Sequence, residues 1–353
     1  MESLDLRNKD FPVELDPKAR FGVDWNDKNV DDPNSFTHRF AQINGIRIHF
    51  VEEGQGPLVI LLHGIPYLWY TWRRQIRALA TAGYRVIAPD IRGFGQSDCP
   101  SDVQNYGLFY SVGDLVGLME ELGESTAVIV GHDLGAWVAN AAIQLRPDLF
   151  RALVMLNTPV GPREVLRPSV SWEKVRIATG KRGHHDYFQN PHVDPVLNAD
   201  IRKTLRSILY SVSGRAIGEE RWNPLIGEGE TLLDTLLNPM QFPDWLSDEG
   251  LDYYVSEYSR NGFTPMLNHY RNRDRNWEQM AFLEGVKQQQ PAMFIGGADD
   301  VLAPFFMPIF DKLENFMPNM QTKVLLKGVG HDAPEEQPKV VTSMLLEFLQ
   351  NLD

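Results

Sequence analysis

The stretch Val128-Ile129-Val130-Gly131-His132-Asp133-Leu134-Gly135-Ala136-Trp137 constrains this chain more than any other. A β-branched run ends in Gly-x-Asp-x-Gly and passes directly into Ala136-Trp137-Val138-Ala139-Asn140-Ala141-Ala142-Ile143, which predicts strand, tight turn and helix. The two glycines let strand and helix approach closely and permit a strained backbone between them, so Asp133 is expected to stand exposed above a sheet. Its place at a helix N-terminus stabilises a negative carboxylate. The plainer alternative is an Asp N-cap in a turn.

The residue type at that turn sets the chemistry. A serine there would form an acyl-enzyme from an ester. A carboxylate instead displaces at a saturated carbon and leaves an alkyl ester that water must hydrolyse. Epoxide opening and carbon–halogen cleavage are the reactions this suits.

At 353 residues and 43% hydrophobic content, the chain has room for one large α/β domain with an insertion. Lys and Arg number 34 against 47 Asp and Glu, a net charge of −13, which disfavours nucleic acid and anionic membrane as partners. Cys99 is the only cysteine, so an intramolecular disulfide or a multi-cysteine metal site is excluded. The opening residues Met1-Glu2-Ser3-Leu4-Asp5-Leu6-Arg7 do not read as a secretion signal, and no apolar run approaches the roughly 18 residues that span a bilayer. A cytoplasmic location and a reducing environment are the expectation.

Residues 1–37 are polar, with Phe21 and Trp25 as aromatics, and read as an arm over the core surface. Around Asn44-Gly45, residues 41–52 alternate apolar and polar, a hairpin signal. Pro57-Leu58-Val59-Ile60-Leu61-Leu62 is apolar throughout, as a strand buried on both faces requires, and ends at His63-Gly64-Ile65-Pro66. A helix over 69–82, a strand over 85–89, a helix over 111–122, the strand–turn–helix elbow at Asp133 and a strand over 152–157 follow. This alternation predicts a mostly parallel, doubly wound sheet over 38–160, the first part of the core. It stops after Thr158-Pro159, and residues 161–284 read as an inserted helical cap. The core resumes over 285–353, with strands at 291–297 and 323–326 and a closing amphipathic helix over 340–351.

A carboxylate nucleophile leaves an ester that needs a base, and Gly328-Val329-Gly330-His331 follows the last strand. His331 is therefore the candidate base; His132, beside Asp133, reads as a packing or orienting residue. Asp299-Asp300 follows the preceding strand and supplies the acid that holds the imidazole tautomer, with Asp300 favoured and Asp299 the alternative. The oxyanion of ester hydrolysis needs preorganised donors, and the backbone N–H groups of Leu134 and Ile65 are candidates. A cis peptide at Pro66 is one way to turn the Ile65 amide inward.

Together, His63-Gly64-Ile65-Pro66, Asp90-Ile91-Arg92-Gly93-Phe94-Gly95-Gln96-Ser97, Gly131-His132-Asp133-Leu134-Gly135-Ala136 and Gly330-His331 resemble the epoxide hydrolases of the α/β-hydrolase fold, with haloalkane dehalogenases as relatives. The resemblance runs from about Phe36 to the end of the chain. It implies two cap tyrosines that hold the epoxide oxygen: Asp186-Tyr187-Phe188-Gln189 resembles the first such motif and Leu267-Asn268-His269-Tyr270-Arg271-Asn272 the second. Ring opening leaves an alkoxide, and a phenol with pKa ≈ 10 can bind or protonate it. A halide needs only N–H donors, and the Trp that follows the dehalogenase nucleophile is Leu134 here. Trp69, Trp137, Phe188 and Phe305 are candidate lining residues. The resemblance implies hydrolysis of a small-molecule epoxide by water to a vicinal diol, without cofactor or metal; a homodimer is left open. Carbon–halogen hydrolysis and a non-catalytic ligand-binding fold are the alternatives.

Overall fold

The computed structural model describes residues 25, 27 and 29–352. Phe21 and most of the expected N-terminal arm therefore lie outside the described residues. Within the arm's described part, Trp25 packs partly buried against the core and Asp31 accepts hydrogen bonds from Arg73 Nε at 2.8 Å and an Arg74 terminal nitrogen at 3.0 Å.

Two edge strands, β1 (His38–Ile43) and β2 (Ile46–Glu53), form the expected hairpin. Asn44 and Gly45 between them both have positive φ, 50° and 81°, which a two-residue turn matching the sheet twist requires. The remaining strands are β3 (Leu58–Leu62), β4 (Arg85–Pro89), β5 (Ala127–His132), β6 (Phe150–Leu156), β7 (Ala292–Gly297) and β8 (Met320–Leu326). In space their order is β1-β2-β4-β3-β5-β6-β7-β8, antiparallel as far as β4 and parallel from there on. Every residue of β3, β5 and β7 is buried, as continuous apolar runs in a sheet covered on both faces demand.

Helix α1 (Arg73–Thr81) follows a 3₁₀ turn, Trp69–Trp72, so the expected helix begins one tighter turn late. Helix α2 (Leu108–Leu122) starts three residues before its expected beginning and stops at Gly123, whose φ is 68°. Helix α3 (Leu134–Leu145) springs from the elbow and packs on β3, β5 and β6. Between β6 and β7 the chain is helical, with α4 (Pro168–Thr179), α5 (Ile201–Ser211), α6 (Asp248–Asn261) and α7 (Thr264–Arg271) and a two-residue ribbon, Arg182–Gly183 with Leu225–Ile226. Helices α8 (Ala303–Phe310) and α9 (Pro338–Gln350) follow β7 and β8 respectively.

The strand order reverses at β3, so loops at the carboxyl ends of β3, β5, β6, β7 and β8 converge on one crevice, where open parallel sheets bind ligands. No helix among the described residues is long and apolar enough to cross a membrane.

Candidate active site

The elbow has the strained geometry its glycines foretell. Asp133 adopts φ 50° and ψ −113°, an uncommon conformation for a residue with a side chain. A Cβ on Gly131 would lie 2.3 Å from the Gly135 carbonyl oxygen, and one on Gly135 would lie 2.3 Å from that of Leu62. Strand, turn and helix therefore meet so closely that neither position admits a side chain.

Asp133 is gripped from two sides. Its Oδ1 accepts a hydrogen bond from the Ile65 N–H at 2.8 Å, and its Oδ2 lies 3.4 Å from His331 Nε2. The Ile65–Pro66 peptide is cis. Burial alone would raise the Asp133 carboxyl, but the hydrogen bond and charge of His331, with His132 and the Ile65 amide, hold it at about 2. Leu134 opens α3, so its N–H has no helical carbonyl partner, and it lines a small side cavity of about 40 Å³ beside Asp133 and Ile65.

His331 Nδ1 sits 2.7 Å from Asp300 Oδ2. Burial opposes the charged imidazole, yet the two facing carboxylates of Asp300 and Asp133 raise its pKa well above the ordinary value. Asp299 turns away: its Oδ2 accepts from the Gly328 N–H at 2.8 Å. Adjacent residues in that turn point apart, so Asp300 alone reaches the imidazole. Asp300 is itself fixed by the Leu302 N–H at 2.8 Å and by Asn157 Nδ2 at 3.3 Å. His132 Nε2 lies 2.6 Å from the His331 carbonyl oxygen; burial lowers its pKa to about 4, so it is a neutral orienting group.

Asp133 and His331 open into a cavity of about 260 Å³ between the sheet and the helical segment that follows β6. Tyr270 lines it, and its hydroxyl has no hydrogen-bond partner among the described residues. Burial and the Asp133 charge raise the Tyr270 pKa well above 10, against the opposing charge of Arg273. The phenol is thus protonated and free to donate.

Tyr187 does not reach this cavity. It belongs to a single helical turn, His184–Tyr187, and its hydroxyl accepts a hydrogen bond from the Leu232 N–H at 3.2 Å. At about 100° per residue, His184, His185 and Phe188 fall on one side of that turn and Tyr187 on another. The first three line the cavity. His184 is the residue that sequence reasoning missed, although its four-residue spacing from Phe188 is a readable signal. Neither of its ring nitrogens is hydrogen-bonded among the described residues, and its ring centroid lies 6.2 Å from that of Tyr270. Burial, with help from His331 and Arg273 and against the pull of Asp133, lowers its pKa to about 4. A neutral imidazole there carries one N–H to donate.

Of the lining aromatics expected, Trp137, Phe188 and Phe305 face the cavity. Trp69 does not. It is fully buried in the core, and its indole N–H donates to the Tyr253 hydroxyl at 2.7 Å. Two further groups escaped sequence reasoning. Asn157 joins Asp300 to the Gly330 carbonyl, and Glu336 accepts the N–H groups of Gly330 at 3.0 Å and of Gly214, just after α5, at 2.8 Å. Among the described residues, no group of three or more His, Cys, Asp or Glu side chains is placed to hold a metal ion.

A family model of the alpha/beta hydrolase fold matches residues 57–191. Epoxide hydrolase A of Mycobacterium tuberculosis (strain ATCC 25618 / H37Rv) is 39% identical over 90% of this chain and 98% of its own length. An epoxide hydrolase of Caballeronia sordidicola is 35% identical over 94% of this chain and 99% of its own. Among solved structures, an epoxide hydrolase from an endophytic Streptomyces superposes with a TM-score of 0.87 at 37% identity, covering 90% of this chain and 96% of that one.

Proposed function

The chain belongs to the epoxide hydrolases of the α/β-hydrolase fold, hydrolysing epoxides to vicinal diols, and from that premise we propose that the reaction runs through a covalent ester on Asp133. The observation that carries this reading is the pairing of an ionised Asp133 with an imidazole that Asp300 holds on its far side.

In the first step Asp133 Oδ2 attacks an epoxide carbon and the carbon–oxygen bond breaks. Tyr270 donates its phenolic proton to the leaving oxygen, and the His184 N–H is the second donor, in the role first expected of Tyr187. Oδ1 stays on the Ile65 amide and becomes the carbonyl oxygen of the ester.

Esterification removes the Asp133 charge, one of the two that raise the His331 pKa, so the imidazole becomes a better-matched base for water. Nε2 takes a proton from water as the water oxygen attacks the Asp133 carboxyl carbon. The oxyanion that forms on Oδ1 is held by the N–H groups of Ile65 and Leu134. Collapse breaks the bond from that carbon to Oδ2, which leaves with the substrate as one hydroxyl oxygen of the diol. The diol departs, taking the proton from His331; one water oxygen remains on Asp133, and the second water proton, left on the Asp133 carboxyl, returns to the Tyr270 phenolate. Residues 161–284 act as the cap that closes over this chemistry.

A single turnover in ¹⁸O-water tests the scheme. The label is expected in the Asp133 peptide and not in the diol; label in the diol alone would mean direct attack of water on the epoxide. His331→Gln should accumulate a protein heavier by the mass of one epoxide.

A further inference from the structure

His331 is held by its backbone as well as by its ring. Its own N–H donates to the Val212 carbonyl at 2.8 Å, while the N–H groups of its two neighbours, Gly330 and Asp332, donate to Glu336 Oε1 at 3.0 and 3.2 Å. The other oxygen, Oε2, accepts the Gly214 N–H at 2.8 Å. One carboxylate thus joins the loop that carries the base to the segment that ends α5. The two backbones touch there: a Cβ on Gly330 would lie 2.3 Å from the Gly214 nitrogen, and one on Gly214 would lie 2.6 Å from the Gly328 carbonyl oxygen.

The segment so joined also faces the substrate. Ile208 on α5 and Val212 just after it line the main cavity, whereas Glu336 does not. Ring opening makes no demand on this arrangement, because Asp133 is held by the elbow and the Ile65 amide. Hydrolysis does. His331 Nε2 must face a water and the Asp133 carboxyl carbon together, and a base displaced by about 1 Å loses on the order of 100-fold in rate.

We propose that Glu336 is a positioning residue for the hydrolytic step: its carboxylate locks the peptide groups on either side of His331 to the segment after α5, so that the substrate-facing wall and the base are set as one unit. The inference rests on the ester reading of Asp133 and adds to it a residue that acts through His331. Both oxygens are needed. A carboxamide would turn its NH₂ toward either the Gly214 or the Asp332 N–H, leaving donor against donor. Protonation acts alike, since one oxygen becomes a hydroxyl. Burial pushes the Glu336 carboxyl up to about 7 against the three N–H groups, and the Asp300 charge adds to the rise. Asp332 and Tyr67 are further titratable side chains that bear on it, and residues 212–214, Val-Ser-Gly, bring none. The lock is therefore complete above about pH 7 and released below it.

The test follows styrene oxide through single turnovers of wild type, Glu336→Gln and Glu336→Asp by rapid quench and intact-protein mass, at about pH 8.5 and about pH 5.5, either side of the Glu336 value. At the higher pH, Glu336→Gln should form the adduct within a few-fold of wild type and hydrolyse it about 10- to 100-fold more slowly, the value of hydrogen bonds to a charged group. At the lower pH the wild-type carboxyl is itself protonated, so the two hydrolysis rates should converge. Glu336→Asp keeps the charge with one methylene fewer and should fall between them at the higher pH. A role in folding alone would slow both steps together at every pH, and that result overturns the proposal, as do equal hydrolysis rates at the higher pH. If Glu336→Gln does not fold, Glu336→Asp takes its place, and hydrolysis in it at the wild-type rate overturns the proposal. If diol forms without an adduct, the wild-type-to-variant ratio of kcat is read instead: a rise through about pH 7 keeps Glu336 and overturns the ester, and a flat ratio overturns both. If styrene oxide is not turned over, amide NMR of the resting enzyme decides. The Gly214 and Gly330 N–H shifts should titrate near pH 7 in wild type and not in Glu336→Gln, and shifts that stay fixed overturn the lock.

Discussion

Replacing Asp300 by Asn should divide the reaction into a fast half and a stalled half. The Asp300 carboxylate meets His331 Nδ1 at 2.7 Å, which favours a proton on Nδ1, so that once the ester has removed the Asp133 charge Nε2 is left to accept a proton from water. Losing a hydrogen bond to a charged partner removes about 1.5–3 kcal/mol, or roughly 10- to 100-fold in a rate that depends on it. An Asn amide can also donate to Nδ1. That places the imidazole proton on Nε2, where it cannot accept one from water. The same exchange in a Ser-His-Asp triad lowers kcat by about 10⁴. The hydrolytic step of Asp300→Asn should therefore slow by between about 10² and 10⁴. Attack of Asp133 on the epoxide does not use the imidazole as a base and should stay within a few-fold of wild type. Rapid quench followed by intact-protein mass measurement reads both halves: the epoxide adduct should form at the wild-type rate and persist. Wild-type turnover in Asp300→Asn would refute the role of Asp300. A dead variant with no adduct would refute the separation of the two steps.

The two cap tyrosines should behave differently. Tyr270→Phe removes a free phenol from the cavity and should slow adduct formation by about 10²-fold or more, whereas Tyr187→Phe should cost about 1 kcal/mol of stability through the Leu232 contact and leave adduct formation unchanged. Single-turnover kinetics and denaturant unfolding distinguish them. The pH dependence of the half-reactions should also separate. Asp133 is ionised above about pH 2 and the Tyr270 pKa is raised, so adduct formation should be flat between pH 5 and 9. Adduct hydrolysis should fall as pH drops, because His331 must be neutral to accept a proton, with a midpoint below the raised pKa of the free enzyme. A stopped-flow series over that range checks both limbs. Gly131→Ala would drive a methyl group to 2.3 Å from the Gly135 carbonyl oxygen and should destabilise by at least the ~1–3 kcal/mol of ordinary overpacking. Gly183→Ala meets nothing within 4 Å and is its control in the same melting experiment.

What could be read from the chain was whatever a local pattern encodes. The elbow, the Asn44-Gly45 turn and the buried strands each carry their own signal within about a dozen residues, and each element formed close to where its pattern lies. Residues at strand ends were legible too, because the sheet topology brings His331 and Asp300 beside Asp133. The cap was harder. In a helix of one turn the His184–Phe188 spacing pairs two side chains on a face, but the motif itself does not say whether that face or the Tyr187 side turns inward. The partner that draws Tyr187 aside, the Leu232 amide, is 45 residues away in sequence. Asn157 and Glu336 act through backbone groups, which leave no trace in side-chain identity. Trp69, a candidate lining residue in the sequence, carries no local signal of its direction, and the 3₁₀ turn leaves it fully buried in the core.

The path of the chain around the cap has a mechanical consequence. β6 and β7 run parallel, so the chain leaves at the carboxyl end of one strand and must re-enter at the amino end of the next. The returning segment reaches that far end, where Gln290 Nε2 donates to the Pro147 carbonyl ahead of β6. With seven residues in β6 at about 3.3 Å each, the two anchorages are roughly 23 Å apart. The two ends of the cap nevertheless meet, Arg163 pairing with Glu284 at 3.2 Å, so that length is spanned by the segment 285–291, a strap lying along the sheet. A body whose two ends are neighbours can tilt about them as a unit, and loss of the Arg163–Glu284 pair should be felt in substrate exchange before it is felt in the core.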